Sequence, residues 1–597
     1  MKPLFVLWTL CLSVFFAPAC DRAVEVHRLN NRETSVSFTA DRDFLWLPVE
    51  DGAPNAILSF SIGDRTIRNI RVALARERAD YTVPFDLRPY RDREIVCRVS
   101  DCPYDAVCWE LLCLRDQVPE PAEDPYRPLF HHAPSYGWMN DPNGMVYENG
   151  TYHLFYQYNP YGNRWENMSW GHAVSRDLVN WEECGVVLEP DSLGAVFSGC
   201  CVLDPDNTAG FGKDAMIAIY TAAGARQTQC LAYSVDGGKT FSRYAGNPVL
   251  TSERADFRDP KVFYHDRTGR WVMILAAGQA LDIYSSPDLR TWHFESRFGE
   301  AYGAHDGVWE CPDLFPLGVM GEPGHSRWVI LCSLGVEDGS RVQYFVGDFD
   351  GKTFTPEQAP STVNWMDFGR DHYATVSWNG LPEGRRIALG WMNNWKYANE
   401  VPSVAYRGCN TLPRDLALKR TDDGLVLVAA PARELEEAFV TTSVLPELSV
   451  AAEQNITPEL TAGTGRIEME LDGDGAEVFG FKLFNCRGEY VDVCINRVEG
   501  MMYVDRSHAG RSDFSPYFAT TRPVPLSRSE VHSFSLWLDR ASLEIFVDGG
   551  EATVTNLIYP TEPYDRMNFY AKGGLMYVRN LKTSVLKTGN NDDEKYE

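Results

Sequence analysis

A short polar or acidic cluster occurs five times in this chain, each time directly before an apolar, β-rich run. Measured from one residue of each cluster to the next, the steps are 58, 60, 51 and 61 residues. The five residues are Asp141, Gly199, Asp259, Glu310 and Asp371. A repeat of this length that holds several short strands predicts a radial array of small sheets, a five-bladed β-propeller. If each cluster opens the innermost strand of its blade, side chains far apart in sequence converge on one pocket.

Two further patterns share this period. A turn that ends in an aromatic residue recurs, and its aromatic residues are 60, 51 and 62 positions apart. These residues are Trp181, Phe241, Trp292 and Phe354. A third pattern, an apolar run before glycine, ends at Gly224, Gly278 and Gly335. The alternative fold is a tandem sandwich with coincidental spacing, which would require three patterns to agree by accident.

The beginning of the chain predicts export. Lys2 is followed by an apolar run, and Ala17-Pro18-Ala19 precedes Cys20. This run is too short to span a membrane, so residues 1–20 are predicted to be a signal peptide. Small residues before a cysteine favour the lipoprotein type, with a lipid anchor on Cys20; cleavage after Ala19 is the alternative. The expected location is the periplasm, the cell surface or the exterior of a bacterium.

Changes in composition divide the rest of the 597-residue chain, which is too long for one ordinary domain. Alternating apolar residues at 56–62 indicate a small β-rich domain, a proline-rich stretch indicates a linker, and short strands between Gly, Asp and Asn turns near the end indicate a β-sandwich. The predicted segments are a β-rich domain at 21–117, a linker at 118–128, the propeller at 129–420, a connecting segment at 421–440, the sandwich at 441–589 and a polar tail at 590–597. The predicted fold class is therefore all-β, with a small domain before the propeller and a sandwich after it.

Four cysteines in the first of these domains are regularly spaced: Cys97, Cys102, Cys108 and Cys113. In an oxidising compartment they predict two disulfides. A four-thiolate zinc site and buried free thiols are the alternatives, and zinc thiolates more often come in pairs two residues apart.

Charge limits the partners. Acidic residues exceed basic ones by 27, which argues against a nucleic acid or an anionic membrane as the main partner. The sequence contains neither a metal-binding cluster nor a phosphate-binding glycine loop, so we expect no cofactor.

Three carboxylates stand in the polar clusters: Asp141, Asp259 and Glu310. Splitting a glycosidic bond needs two carboxyl groups, one that attacks or activates water and one that protonates the leaving oxygen. An aspartate is usually the more acidic group and is suited to remain ionised as a nucleophile. Glu310, between Trp309 and Cys311, is better placed to have a raised pKa and to carry a proton. For each acid taken alone, the alternative is a solvated turn residue.

The sequence around these acids resembles a known family. The blocks Trp138–Gly144, Phe257–Pro260 and Trp309–Pro312 are similar to three hallmark blocks of glycoside hydrolase family 32, which contains invertases, levanases and inulinases. Further similar blocks are Phe155–Pro160, Asn167–Ala173, Phe197–Gly199, Asp367–Asp371 and Gly390–Trp395. The resemblance covers the predicted propeller and, more loosely, the sandwich, and that family has a five-bladed propeller followed by a β-sandwich. It says little about residues 21–116.

The resemblance implies roles for individual residues. Asp141 would be the nucleophile, Glu310 the general acid and then base, and Asp259 a stabiliser of the transition state. The reaction would retain configuration, so the carboxyl groups of Asp141 and Glu310 are expected about 5 to 5.5 Å apart. Substrate would be bound by Trp138, Met139, Asn140, Gln157, Trp165, Phe197, Ser198, Arg258 and Trp395. Glu166 departs from the family, in which glycine often follows this tryptophan.

The function expected from these residues is cleavage of β-fructosidic bonds in levan, inulin or short fructosides. The unaltered Asp141 favours release of single fructose units from chain ends, and endo-acting levanase action is the nearest alternative. A propeller that binds fructan without cutting it would lack at least one of the three carboxylates. An inverting hydrolase on the same fold would lack the block at 138–144, and a transferase that builds fructans would share the site.

Overall fold

A computed structural model of the chain describes residues 24–527 and 529–587. The predicted signal peptide with Cys20, and the predicted tail at 590–597, lie outside the described residues. Strands dominate, and the helices within this part are two short α-helices, α1 (Cys108–Leu111) and α2 (Arg433–Ala438), and two 3-10 turns, Arg88–Tyr90 and Pro382–Gly384. None of the helices in the described ranges is both long and apolar enough to cross a membrane. The predicted all-β class is confirmed.

The chain divides into two compact units, the first ending at Glu120 and the second beginning at Pro121. The first unit contains a five-stranded and a three-stranded sheet. The strands are β1 (Glu25–Arg28), β2 (Glu33–Thr39), β3 (Phe44–Val49), β4 (Ala56–Ile62), β5 (Arg65–Val72), β6 (Tyr81–Asp86), β7 (Glu94–Ser100) and β8 (Cys113–Arg115). Phe60 of the larger sheet stacks on Phe85 of the smaller one with ring centroids 4.0 Å apart, so aromatic packing joins the two.

The predicted pair of disulfides in this unit is not formed in the structure. Cys97, Cys102 and Cys108 are free thiols, and the sulfurs of Cys102 and Cys108 are 3.7 Å apart. Cys97 is buried on β7 among apolar side chains, as a small hydrophobic residue would be.

The first part of the second unit forms five successive sheets. Sheet 1 has β9 (Gly137–Glu148), β10 (Thr151–Asn159), β11 (Ser169–Ser175) and β12 (Glu182–Leu188), with β29 (Tyr406–Arg407) parallel to β9. Sheet 2 has β13 (Ala195–Asp204), β14 (Ala215–Ala223), β15 (Gln227–Ser234), β16 (Ser242–Arg243) and β17 (Leu250–Thr251). Sheet 3 has β18 (Phe257–His265), β19 (Arg270–Ala277), β20 (Leu281–Ser286) and β21 (His293–Phe298).

Sheet 4 has β22 (Trp309–Gly318), β23 (Ser326–Val336), β24 (Gly339–Phe349), β25 (Phe354–Pro356) and β26 (Asn364–Trp365). Sheet 5 has β27 (Tyr373–Ser377), β28 (Ile387–Trp391), β30 (Arg414–Thr421) and β31 (Gly424–Pro431). The sequence placed β31 in the connecting segment, but it pairs with β30 along its whole length and belongs to sheet 5. The first strands of consecutive sheets lie side by side, and β27 lies beside β9.

The second part of this unit contains two sheets of seven and six strands. The larger has β32 (Phe439–Val444), β33 (Leu448–Val450), β35 (Gly465–Asp472), β40 (Val531–Asp539), β41 (Ser542–Val547), β42 (Ala552–Leu557) and β44 (Met576–Leu586). The smaller has β34 (Glu453–Ile456), β36 (Val478–Phe484), β37 (Tyr490–Asn496), β38 (Met501–His508), β39 (Pro523–Pro525) and β43 (Arg566–Lys572). Alternate residues of both sheets, such as Ile467 and Phe481, form one shared hydrophobic core, which is how two half-buried sheets pack face to face.

Ionic contacts link these two parts of the second unit. His131 lies between Asp539 and Glu544, with Nδ1 2.9 Å from Asp539 Oδ2 and Nε2 3.0 Å from Glu544 Oε1. Arg414 of sheet 5 donates to Glu544 Oε2 at 2.6 Å and to Asp367 Oδ2 at 3.0 Å. All five side chains are buried, so this network holds sheet 5 and the larger late sheet in a fixed arrangement.

Candidate active site

The three predicted catalytic acids come from the beginnings of three different first strands: Asp141 from β9, Asp259 from β18 and Glu310 from β22. In each of these strands the pairing with the next strand shifts register beside the acid. Such β-bulges bend a strand and re-aim its side chains. Asp259 itself has a φ of 64°, a left-handed conformation that non-glycine residues seldom adopt outside functional or tightly held positions.

Cys311 connects two of the acids. Its backbone N–H donates to Asp259 Oδ2 at 3.0 Å. Its sulfur is 3.5 Å from Asp141 Oδ2 and 3.7 Å from Asp259 Oδ2. Cys311 is buried, and its backbone also has the left-handed conformation, with a φ of 47°. The residue that follows Glu310 is thus held by contacts to the other two acids.

Asp141 accepts hydrogen bonds on both oxygens. Ser198 Oγ donates to Oδ2 at 2.7 Å, and Asn140 Nδ2 donates to Oδ1 at 3.0 Å. Trp138 Nε1 donates to the amide oxygen of Asn140 at 2.8 Å, which orients that amide. A carboxylate held in this way keeps a fixed direction.

Glu310 is held from two sides. Arg258 donates to its Oε1 through Nη2 at 3.0 Å and through Nε at 3.2 Å. Asp256 in turn accepts from Arg258 Nη1 at 2.6 Å. The hydroxyl of Tyr373, at the start of β27, donates to Glu310 Oε2. Each oxygen of Glu310 therefore has its own donor.

Burial changes the acidity of the two aspartates. Desolvation raises the pKa of Asp141 above its ordinary value, and the nearby charge of Glu310 adds to this, while donors such as Ser198 oppose it. Desolvation likewise raises the pKa of Asp259 to about 7, against the lowering effect of the Arg258 charge. Each of these two aspartates is thus a weaker acid than an aspartate in water, because both are buried beside other carboxyl groups.

The structure brings four of the predicted substrate-binding residues into contact with the acids or their immediate partners. Asn140, Ser198 and Arg258 touch Asp141 or Glu310 directly, and Trp138 orients Asn140. Trp395 packs on Trp138 with ring centroids 5.9 Å apart and remains 38% exposed.

The other predicted binding residues differ in their surroundings. Trp165 is 43% exposed and makes an edge contact with Phe197, so these two rings are accessible. Gln157 is buried and donates to the backbone of Val196 at 3.0 Å. Met139 is fully buried in the hydrophobic core beneath the site, so its side chain packs against protein.

Sequence reasoning missed Tyr373, Cys311 and Asp256. Tyr373 stands in the fifth polar cluster, two residues after Asp371, the residue of that cluster from which the repeat is measured. Asp371 is instead buried against the Tyr397 hydroxyl at 2.5 Å and the Arg506 guanidinium. The sequence signal for Tyr373 is its place in the fifth polar cluster. The structure adds that β27 shifts register directly after Tyr373, as the other first strands do beside their acids.

Among residues 24–527 and 529–587, no group of three or more His, Cys, Asp or Glu side chains is arranged to hold a metal ion.

Fold and site together are those of a glycoside hydrolase, with carboxyl groups from separate strands gathered at one place. The chain matches the N-terminal domain of glycosyl hydrolases family 32 over residues 131–431 and the C-terminal domain of that family over residues 434–587. It belongs to glycosyl hydrolase family 32 and is a glycosidase. Residues 31–130 match a domain of unknown function (DUF4980).

Several characterised proteins are similar to it. A levanase of Bacillus subtilis (strain 168) is 44% identical over 482 residues, which cover 78% of this chain and 71% of that protein. An extracellular exo-inulinase of Aspergillus awamori is 36% identical over 501 residues, 76% of this chain and 93% of that protein. The crystal structure of exo-inulinase from Aspergillus awamori aligns with a TM-score of 0.71 at 35% identity and covers 77% of this chain and 98% of that structure.

Proposed function

We propose that this protein is an exported hydrolase of β-fructosidic bonds that acts on fructans such as levan and inulin and on sucrose. The observation that carries the proposal is the joint placement of Asp141, Asp259 and Glu310, with Cys311 between the aspartates and with Arg258 and Tyr373 on the glutamate. The similar levanase and exo-inulinase support the substrate class.

The proposed architecture is a five-bladed β-propeller followed by a β-sandwich. The sequential sheets, the adjacency of their first strands and the adjacency of β27 to β9 support a closed ring of five blades. The proposed domain boundaries remain those expected from the sequence, with β31 moved from the connecting segment into the last blade.

The proposed reaction has two steps and retains configuration. First, a carboxylate oxygen of Asp141 attacks the anomeric carbon of the terminal fructosyl unit, while the carboxyl proton of Glu310 passes to the glycosidic oxygen as that bond breaks. The rest of the sugar chain leaves and a fructosyl ester of Asp141 remains. Second, the Glu310 carboxylate takes a proton from water, the water oxygen attacks the same carbon, and Asp141 is released.

The contacts of each acid support its role. Ser198 and Asn140 aim the carboxylate of Asp141, and their hydrogen bonds oppose the rise of its pKa and so favour the ionised form that a nucleophile needs. Arg258 and Tyr373 restrict Glu310 to one orientation, which general acid catalysis requires. Asp259 would accept hydrogen bonds from fructosyl hydroxyls that strengthen as positive charge develops on the ring.

The remaining residues would form the walls of the sugar site. A fructosyl ring has several hydroxyls and one apolar face, so its pocket combines polar groups with aromatic rings. The accessible rings of Trp165, Phe197 and Trp395 would meet the apolar face. Trp138, Gln157 and Met139 would act by supporting the groups that touch the sugar, since all three are buried.

Release of single fructose units is the favoured mode, because two similar proteins are named as exo-acting inulinases. An endo or disaccharide-releasing mode is the second candidate. One observation favours it: a levanbiose-producing levanase of Bacillus subtilis (strain 168) is 34% identical over 490 residues.

The test is the product profile of purified protein on levan, inulin and sucrose over time, with Asp141→Asn and Glu310→Gln as inactive controls. Fructose alone from the earliest points supports exo hydrolysis, and early oligosaccharides support the endo mode. NMR of the first product should show the β-anomer, as retention requires. Absence of cleavage of all three substrates by the unmodified protein would refute the proposal.

Export is proposed from residues 1–20, with a lipid anchor on Cys20 and a location at the bacterial cell surface or in the periplasm. The similar exo-inulinases are named as extracellular, which supports export. Fatty-acid labelling of the protein and of Cys20→Ala in a bacterial host is the test. Equal labelling of both, or none of either, would argue against the anchor.

A further inference from the structure

A cavity lies at the ends of the first strands opposite to the catalytic acids. Its volume is about 590 Å³, within the range of about 300–1,000 Å³ typical of small-molecule sites. All five sheets contribute to its wall through Val146, Leu203, Phe263, Pro316 and Asn379. Each of these residues is at or just beyond the end of a first strand whose beginning faces the catalytic acids.

This cavity is separate from the active site. On β18, the cavity residues Phe263 to His265 come four to six positions after Asp259, a distance of about 13 to 20 Å along a strand. The space between is closed by buried polar contacts. Lys261 is 3.0 Å from Asp313, and Asn379 Nδ2 donates to the backbone of Cys201 at 2.9 Å and of Val262 at 3.1 Å.

The wall of the cavity combines aromatic rings with polar groups. Phe263 and Trp328 are partly exposed and pack together with centroids 5.5 Å apart, and Tyr264 is 45% exposed. Arg386 lies against Phe315 and donates through Nη1 to the backbone of Trp378 at 3.0 Å. Its Nε is buried and donates to no acceptor among the described residues.

The charge of the wall selects the kind of ligand. Asp204, Asp206 and Asp266 line the cavity together with Arg267 and Arg386, so the wall carries both signs of charge and favours neither an anion nor a cation. Asp204 is occupied by hydrogen bonds from Thr208 and Ala209, whereas Asp206 and Asp266 are exposed. A neutral ligand with apolar faces and many hydroxyls matches a wall that combines aromatic rings with carboxylates and guanidinium groups.

We propose that this cavity is a second carbohydrate-binding site, which takes sugar units of a fructan chain while another part of the polymer is cut. The choice of fructan as its ligand rests on the proposed function, while the cavity and its chemistry do not. Binding at a distance from the acids would raise the local concentration of polymer at the active site, since two linked sites hold a chain longer than either alone. Short substrates cannot reach both sites and gain nothing.

The experiment is native electrophoresis in gels that contain levan or inulin, paired with kinetics on sucrose. Tyr264→Ala removes an accessible ring, and Asp266→Asn removes a rim charge without changing shape. Phe294→Ala is the matched control, because Phe294 is an exposed ring in the same sheet, in edge contact with one tyrosine, and outside the cavity wall.

In Tyr264→Ala the apparent dissociation constant for fructan should rise at least about fivefold, because an aromatic contact of about 1 kcal/mol is lost. In Asp266→Asn it should rise about twofold or more. It should not change in Phe294→Ala, and kcat/KM on sucrose should be unchanged in all three. Affinity for fructan that is equal in all variants overturns the second site and leaves the hydrolase intact. If the protein cleaves no fructoside but is still retarded by fructan in the gel, and this retardation is lost in Tyr264→Ala, the second site is supported and the proposed function is refuted.

Discussion

The hydroxyl of Tyr373 donates a hydrogen bond to Oε2 of Glu310 across the gap between sheets 5 and 4. Desolvation and the charge of Glu310 raise the pKa of Tyr373 well above its ordinary value, so the phenol keeps its proton and remains a donor. Arg258 occupies the other oxygen. The proposed acid of the reaction is therefore positioned by two side chains from two other sheets.

Removal of this donor should slow the reaction without abolishing it. A hydrogen bond to a charged group contributes about 1.5–3 kcal/mol, so Tyr373→Phe should lower kcat on sucrose about 10- to 100-fold. Steady-state kinetics provide the measurement. Tyr302→Phe, which changes a partly exposed tyrosine outside these contacts, is the control and should remain near full activity. Full activity in Tyr373→Phe would show that Arg258 alone positions Glu310.

Glu310→Gln should separate acid catalysis from nucleophilic attack. A glutamine cannot protonate the leaving oxygen, so kcat on sucrose should fall by about 10²–10⁴. A fructoside with an aryl leaving group needs little protonation, and its first step should be much less affected. Asp141→Asn should be inactive on both substrates. Equal losses for Glu310→Gln on the two substrates would remove Glu310 from the role of acid.

Asp259→Asn should stabilise the protein at neutral pH while it impairs catalysis. The native carboxyl keeps its proton up to about pH 7, whereas the unfolded chain releases it near 3.8. Between these values the native state binds more protons, so its stability falls as pH rises, by at most about 4 kcal/mol in total. The variant should therefore melt at a higher temperature than the parent at pH 7.5 and at nearly the same temperature at pH 4.

Asp288→Asn is the matched control for this experiment. Despite its partial burial, backbone hydrogen bonds from Thr291 and Arg290 lower the pKa of Asp288, so its stabilising effect is present above pH 4 and is lost in acid. Thermal melts should show a loss for Asp288→Asn at pH 7.5, opposite in sign to Asp259→Asn. A loss of stability in both variants at pH 7.5 would contradict the raised pKa of Asp259.

His131 should make stability depend on pH in the alkaline range. Burial opposes its charged form, but the hydrogen bonds and charges of Asp539 and Glu544 outweigh burial and raise its pKa to about 9. The native imidazolium therefore contributes fully below the unfolded value of about 6.5, by about 3 kcal/mol, and this contribution is lost as pH rises through 9. His131→Gln should be destabilised strongly at pH 6 and much less at pH 9.5, as measured by urea unfolding. Equal destabilisation of His131→Gln at pH 6 and at pH 9.5 would contradict the raised pKa of His131.

Cys102 and Cys108 should form a disulfide when the protein is oxidised. Their sulfurs are already 3.7 Å apart, and a hydrogen bond from Cys108 lowers the pKa of Cys102, which favours the reactive thiolate. Closing this short loop should stabilise the first unit by about 2 kcal/mol. Peptide mapping without reductant is the measurement. A cross-link from Cys97 to either residue would contradict the structure, because Cys97 is buried on β7.

Much of the site was predictable from sequence, because the information is local. Asp141, Asp259 and Glu310 each lie in a polar block before a strand, and the period of these blocks predicted that they would meet. The same reason applies to three of their partners. Asn140 and Arg258 each stand next to an acid in the same block, and Ser198 lies in the first strand of sheet 2. The second carbohydrate site had no such signal, because its residues follow strands in ordinary turns.

The sequence by itself determined the all-β class and the polar blocks that contain Asp141, Asp259 and Glu310, since strand periodicity and motif spacing are properties of neighbouring residues. Tertiary structure alone decided which groups touch each acid. Tyr373 donates to Glu310 and Cys311 bridges two aspartates because bulges in separate strands turn these side chains toward each other. The raised pKa of Asp259 was also decided there, because desolvation depends on everything packed around a carboxyl and not on its neighbours in the chain.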